Sequence, residues 1–354
     1  MPPLAAVFEG PGQPLSLRPF EDPCPGAGQA VVEISCATLC GSDLHSIRGD
    51  RAVSVPTILG HEMVGRISSL GGDLRDQAGS KLEVGDRVSW SLAASCGTCF
   101  YCQNSLPQKC ESLFKYGHEA LDAAHPLSGG LATHCLLATG TSIVKVPSGL
   151  PDEVASPANC ATATVAAAFR VAGPCSGQTV VIHGAGMLGL TAAAMARFEG
   201  ARHVIVSDPR EDRRRRAEQF GADAVTPADL PELTEGRGAD LVIDLSGAPE
   251  AVEEGLGQAR IGGRVILVGS VFPTRALSVR ADEVVRRLLR VEGVHNYTPE
   301  DLLAAFAFLA EAHEQFPFRS LVGASYPLSR IEDAIESALP GKHFRVAVRP
   351  RRDG

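Results

Sequence analysis

Thr179-Val180-Val181-Ile182-His183-Gly184-Ala185-Gly186-Met187-Leu188-Gly189 is the stretch on which the fold class turns. A short apolar run of strand length passes directly into Gly-x-Gly-x-x-Gly, and an Ala-rich segment with helical spacing follows to about residue 199. The glycine pattern alone says little. With a strand before it, a helix after it and Asp208 at the end of the next strand, it completes a dinucleotide-binding fingerprint. Gly184, Gly186 and Gly189 let backbone N–H groups approach a pyrophosphate, together with those of Met187 and Leu188 at the helix N-terminus. Asp208 would accept hydrogen bonds from the adenosine ribose, and its charge would repel a 2'-phosphate, which favours NAD over NADP. Arg210 and the run Arg213 to Arg216 follow closely. The run reads as a solvated helix face, with Arg210 the basic residue to watch and Arg213 beside it in the candidate cofactor set.

Outward from this point the β/α alternation continues. A strand at His203 to Ser207 leads into a helix over 210–220, Leu241 to Asp244 into a helix over 249–258, and Arg264 to Val268 follows. Such alternation builds a parallel sheet with crossover helices, here over residues 156–295. Residues 1–155 read differently. Short apolar runs (Ala5 to Phe8, Ala30 to Ile34, Val64 to Ile67, Asp86 to Trp90, His134 to Val146) alternate with Pro and Gly turns, which predicts a small, mostly β, barrel-like domain. Beyond about 295 the sequence predicts one more helix, Pro299 to Ala312, and a terminal strand near Phe344 to Val348. A lone strand needs a sheet to join, so residues 296–354 are expected to complete the first domain. The 354 residues suit two such domains.

Composition narrows the function. Charged residues make up 21% and hydrophobic residues 44%, ordinary for a globular protein, and the net charge of -8 offers no footprint for nucleic acid. The N-terminus has neither a basic region nor a sustained apolar run, and the apolar passage over 179–198 is broken by His183, three glycines and Arg197. Neither a secretory signal nor a membrane span is expected. A cytoplasmic chain with ten cysteines in a reducing compartment points to metal ligands rather than disulfides.

The cysteine spacing agrees. Cys96, Cys99, Cys102 and Cys110 form C-x2-C-x2-C-x7-C, which can close a tetrahedron around one structural Zn²⁺. A second constellation lies between Cys40 and Glu62, with Cys-Gly-Ser-Asp-Leu-His at 40–45 and Gly-His-Glu at 60–62. Cys40 and His61 suit a catalytic zinc that keeps one position open. Ser42 and His45 are placed to carry a proton, and Asp43 and Glu62 to act on the ligands from behind. The third ligand is either Cys160, at the junction of the two inferred domains, or Glu153.

In the order of these motifs the chain resembles, over essentially its whole length, the zinc-containing alcohol dehydrogenases of the medium-chain dehydrogenase/reductase superfamily. The resemblance implies a GroES-like β-rich catalytic domain plus a doubly wound Rossmann domain, two zinc ions per chain and NAD. It also implies a homodimer or homotetramer. Through Cys-Ala-Thr-Ala-Thr it assigns the third catalytic ligand to Cys160, and it gives Glu62 a part in ligand exchange on the metal. Gly41 stands where the liver-type enzymes have a basic residue, so Cys-Gly-Ser-Asp is similar to the polyol and threonine dehydrogenase branch. Phe-Lys-Tyr-Gly-His-Glu at 114–119 and Asn-Cys-Ala-Thr-Ala-Thr-Val at 159–165 resemble a bacterial subgroup associated with phosphonates.

The expected reaction is oxidation of an alcohol to an aldehyde or ketone with NAD, the proton leaving through Ser42 and then His45. The substrate is a small molecule, and a small anionic alcohol of phosphonate type is the sharpest expectation, because Arg48, Arg51, Lys115 and His118 lie on loops near the inferred site. A neutral polyol or a threonine-type secondary alcohol is the alternative within the class. A zinc-independent reductase of activated double bonds, or a non-catalytic redox sensor on the same fold, stands outside it.

Overall fold

In the computed structural model, which describes residues 2–350 apart from 224 and 225, the aliphatic runs Thr179–His183, His203–Ser207 and Ala239–Asp244 form neighbouring parallel strands. Val180 to Ile182, Val204 to Val206 and Leu241 to Ile243 are wholly buried, as a parallel sheet covered on both faces requires. The sheet continues through Ala259–Leu267 to Arg290–Gly293. The last of these is a fifth strand absent from the sequence reading. All four of its residues are exposed and two are charged, so it carries no apolar pattern. From the Thr179–His183 strand the sheet grows one way to His203–Ser207 and the other way to Ala239–Asp244. The C-terminal ends of these strands therefore meet at a switch point, the place where doubly wound sheets bind ligands. These elements belong to a compact unit of 161–297 and 311–317.

The other unit comprises residues 1–160, 298–310 and 318–354. Its centre is the ten-residue strand Ala30–Leu39, which pairs antiparallel with Glu62–Leu70, His134–Leu137 and the terminal strand Arg345–Arg349. Glu62–Leu70 passes the sheet on to Arg87–Ala94, which takes Phe114–Lys115 and Thr141–Lys145. The single strand expected over 134–146 is two, because Gly140 turns the chain at φ +86° and packs too closely on the Ser95 carbonyl for any side chain. A core around Trp90, Tyr116 and Met63 fills one region of this unit, and one around Phe8, Ile58 and Ile335 another. The strand Val322–Pro327 and the helix Ile331–Ala338 were also not anticipated from sequence. Among the described residues no helix is long and apolar enough to cross a membrane.

Candidate functional site

The Ala30–Leu39 strand delivers Cys40 to the N-cap of a helix, Gly41–Arg48, two turns long. Asp43, at the third helical position, accepts the Cys40 backbone N–H on Oδ2 at 2.8 Å and the Gly60 N–H on Oδ1 at 3.2 Å. The same Oδ1 stands 3.3 Å from His61 Nδ1, an ion-pair distance without a formed hydrogen bond. One buried carboxylate thus ties together the two segments that carry Cys40 and His61. It also fixes the imidazole with Nε2 turned towards Ser42, whose Oγ lies 3.4 Å away.

Cys40, His61, Glu62 and Cys160 bring their ligand atoms within 4.8 Å of one another. Glu62 is otherwise engaged. Arg345 donates to both of its oxygens, from Nε and Nη2 at 2.7 Å, and Thr38 Oγ1 donates to Oε2 at 2.6 Å. That leaves two sulfurs and an imidazole, the Cys₂His donor set of the catalytic zinc in alcohol dehydrogenases. Charge fits as well: two thiolates balance a divalent ion, and Arg345 balances Glu62. Glu153, the rival ligand, lies outside the cluster and accepts from Arg349 Nη2 at 2.6 Å.

The electrostatics of the cluster favour thiolate at Cys40. The hydrogen bond from the Cys160 thiol holds Cys40 well below the usual thiol range, and Arg345, with Nη2 3.4 Å from the sulfur, assists. Cys160 is pushed up in turn by that neighbour and by burial. Burial pulls the His61 imidazolium down, but Asp43 and Cys40 overcome it and hold the group at about 10. Burial lifts the Glu62 carboxyl to about 7 against the pull of Arg345.

The two residues expected to carry a proton sit apart in character. Ser42 is half-buried against His61, whereas the His45 ring is 41% exposed and pairs through Nδ1 with Asp50 Oδ2 at 3.2 Å. Arg48 is exposed and donates to the Leu339 carbonyl, away from the cluster.

In the four-cysteine lobe Cys99 and Cys102 are 3.5 Å apart at sulfur, Cys96 and Cys110 3.4 Å, and Cys99 and Cys110 3.9 Å. Zinc–sulfur bonds of about 2.3 Å in a tetrahedron place sulfurs about 3.8 Å apart, so these four fit one zinc ion. Backbone N–H groups of Cys96, Cys99 and Ser112 point at the sulfurs, and such donors hold Cys96 at about 6. All ten cysteines are free of disulfides.

The residues expected from the sequence to bind the cofactor lie at the switch point of the parallel sheet. Gly184 takes φ +98°, and a Cβ at Gly189 would meet the Gly184 carbonyl oxygen at 1.7 Å, so loop and helix pack backbone to backbone. A Cβ at Gly186 would meet nothing within 4 Å, and this residue caps the helix Met187–Phe198 without a side-chain bond. That open space beside free first-turn N–H groups fits a pyrophosphate. Asp208 accepts the N–H of Ala185 at 2.8 Å and of Arg210 at 2.9 Å, one on each oxygen, and keeps lone pairs for ribose hydroxyls. Arg213 stands 3.8 Å from Asp208, while Arg210 is turned aside into a two-pronged pair with Asp212.

Three contributors escaped the sequence reading. Arg345 and Thr38 hold Glu62, and Asn159 donates from Nδ2 to the His61 carbonyl at 2.9 Å and the Trp90 carbonyl at 2.8 Å. Only Arg345 left a signal, as a charge inside the apolar alternation of the last strand.

Comparison with known proteins identifies the family. Residues 26–148 match the family model of the alcohol dehydrogenase GroES-like domain, and residues 188–311 that of zinc-binding dehydrogenases. An L-threonine 3-dehydrogenase of Thermococcus kodakarensis is 31% identical over 80% of both chains, and an alcohol dehydrogenase of Geobacillus stearothermophilus 32% identical over 96% of both. The crystal structure of an alcohol dehydrogenase from Thermotoga maritima superposes with a TM-score of 0.93, at 30% identity over 99% of each chain.

Proposed function

The chain belongs to the zinc-containing alcohol dehydrogenases of the medium-chain dehydrogenase/reductase superfamily, NAD-dependent oxidoreductases acting on CH–OH, and from that premise we propose how its residues divide the work. The observation that carries the reading is the donor set of Cys40, His61 and Cys160 once Arg345 has claimed Glu62. Bound there, zinc would supply Lewis acidity to the substrate hydroxyl, and NAD would take up the hydride. Asp43 sets the His61 ring, so that Nε2 is the ligating atom. Ser42 takes the proton leaving the substrate hydroxyl, and His45, exposed and paired with Asp50, passes it to solvent. Glu62, restrained by Arg345, would stand as a carboxylate in reserve beside a metal held there. Asp208 receives the adenosine ribose, with Arg213 alongside.

For the substrate, the finer reading is a small hydroxylated anion, a hydroxyalkylphosphonate in its sharpest form. The threonine dehydrogenase among the relatives supports a threonine-type secondary alcohol as the second reading. A cofactor-reduction screen of neutral polyols, L-threonine and hydroxyalkylphosphonates tests both. Faster turnover of neutral polyols than of any anionic alcohol would end the phosphonate version, and reduction of activated double bonds without zinc would end the dehydrogenase reading altogether.

A cytoplasmic location and a homodimer or homotetramer complete the proposal. The free cysteines support the first. The second is supported by the exposed edge strand Arg290–Gly293 with Val285, Leu288 and Ile261 exposed close to it in sequence or pairing. Light scattering of the purified protein reads the mass directly.

A further inference from the structure

Lys115 and Arg51 are two cations of the first unit. Lys115 ends the short strand Phe114–Lys115, paired to Ala93. Arg51 follows the helix that begins at Cys40, its backbone N–H donating to the His45 carbonyl at 3.2 Å. Both are half-buried, and among the described residues neither side chain pairs with a carboxylate. The carboxylates next to them in the chain are committed elsewhere. Asp50 faces His45, and Glu119 accepts the backbone N–H of Lys115 itself at 2.9 Å.

The loop carrying Lys115 is seated on the metal cluster. Gly117, at φ +76°, lies so close to Gly60 that a Cβ would sit 2.7 Å from the Gly60 oxygen, and Gly60 precedes the ligand His61. His118, on the same loop, brings its ring within 5.5 Å of the His61 ring. Its Nδ1 donates to the Tyr116 carbonyl at 2.9 Å, so that in the neutral ring Nε2 is the acceptor. Burial holds the Lys115 ammonium below its ordinary range, and repulsion from Arg51 adds to this. Both cations thus sit on segments tied to the metal cluster, Arg51 on the turn after the helix capped by Cys40 and Lys115 on the loop packed against Gly60 and His61. Keeping two like charges together and partly out of water is costly unless something negative joins them.

We propose that Arg51 and Lys115 form an anion subsite that receives the carboxylate or phosphonate of the substrate while its hydroxyl is held at the Cys40–His61–Cys160 centre. This rests on the dehydrogenase reading and names the substrate class for that same site. The guanidinium supplies a planar fork for two oxygens, and the ammonium a single point charge. Neutral alcohols leave both cations unpaired, so the site selects against them as well as for anions. The shared chemistry covers an amino acid with a β-hydroxyl as well as a hydroxyalkylphosphonate.

Inorganic phosphate, methylphosphonate and acetate serve as probes, titrated calorimetrically into the zinc-loaded enzyme saturated with NADH. The expected result is binding that competes with the alcohol substrate. It should weaken about 10- to 100-fold in Arg51→Gln and in Lys115→Gln, the range for one lost charge-assisted contact. Arg51→Lys should recover part of the binding, and Lys81→Gln, a surface change, should leave it as in wild type. Tighter phosphate and methylphosphonate than acetate identifies a phosphonate site, and the reverse a carboxylate site. Probe binding seen only in the NADH-free enzyme and lost on saturation with NADH would assign the cations to the cofactor pyrophosphate and overturn the proposal. Unchanged binding in both Gln variants, or binding that does not compete with alcohol, would overturn it too. Failure of the underlying reading looks different: no alcohol of any charge reduces NAD, whatever the probes do.

Discussion

Replacing Arg345 with Met should destabilise the first unit by about 3–5 kcal/mol, the cost of stripping one partner from a buried ion pair. The structure gives the same figure from its parts. Glu62 is 0% exposed and Arg345 6%, and the pair is joined by two charge-assisted hydrogen bonds of 2.7 Å. At about 1.5–3 kcal/mol each, these account for about 3–6 kcal/mol. After the change Glu62 keeps only the Thr38 hydroxyl, and the Cys40 sulfur loses its guanidinium neighbour. Trp90 is the single tryptophan and lies in the core of this unit, so its fluorescence during guanidinium unfolding reports on this unit. The double variant Glu62→Gln/Arg345→Met should regain most of the loss, because no uncompensated charge then remains. An Arg345→Met protein as stable as wild type, or a double variant no better than the single one, would refute the reasoning.

Three other outcomes are expected. Cys99→Ser should lower the unfolding midpoint and release one zinc per chain while the remaining folded protein keeps its activity per molecule, since a closed site contributes folding energy; loss of turnover with an unchanged midpoint would contradict the structural assignment. Asp208→Ser should raise the NADP-to-NAD ratio of kcat/KM by about tenfold or more as the repulsion of a 2'-phosphate disappears. Adding Asp212→Ala should bring only a few-fold further gain, because the Arg210–Asp212 pair is exposed and screened by solvent; a wild-type preference for NADP sinks the role of Asp208. Ser42→Ala should reduce kcat by about 100-fold or more and His45→Gln by less, since water reaches the exposed ring. Equal, small losses in stopped-flow turnover would mean the proton takes another path.

What could be read in the sequence was local. The Gly184–Gly189 loop needs a strand before it and a helix after it, all within about 30 residues of Asp208, and the four-cysteine lobe is written in fifteen consecutive residues. Cys40 and His61 were visible because short-range partners, Asp43 above all, accompany them. Arg345 left only a charge inside the apolar run of the last strand, which does not say that it reaches Glu62 from 283 positions away. The choice between Cys160 and Glu153 was open for the same reason, since Arg349 claims Glu153 from 196 positions away. The Arg290–Gly293 strand failed on other grounds. An exposed edge strand with Arg and Glu has no alternation to detect. Arg48 and Arg51 look alike in the sequence, and only the packing turns one to the Leu339 carbonyl and leaves the other, among the described residues, without a carboxylate partner.

Zinc content measured by plasma emission, on wild type and on Cys40→Ser with NADH formation followed in the same samples, bears most directly on the catalytic metal centre. The expected result is two zinc per chain in wild type, and one in Cys40→Ser with the fold kept and turnover lost. One zinc or none in active wild-type enzyme, or full activity in Cys40→Ser, would contradict the assignment of Cys40, His61 and Cys160.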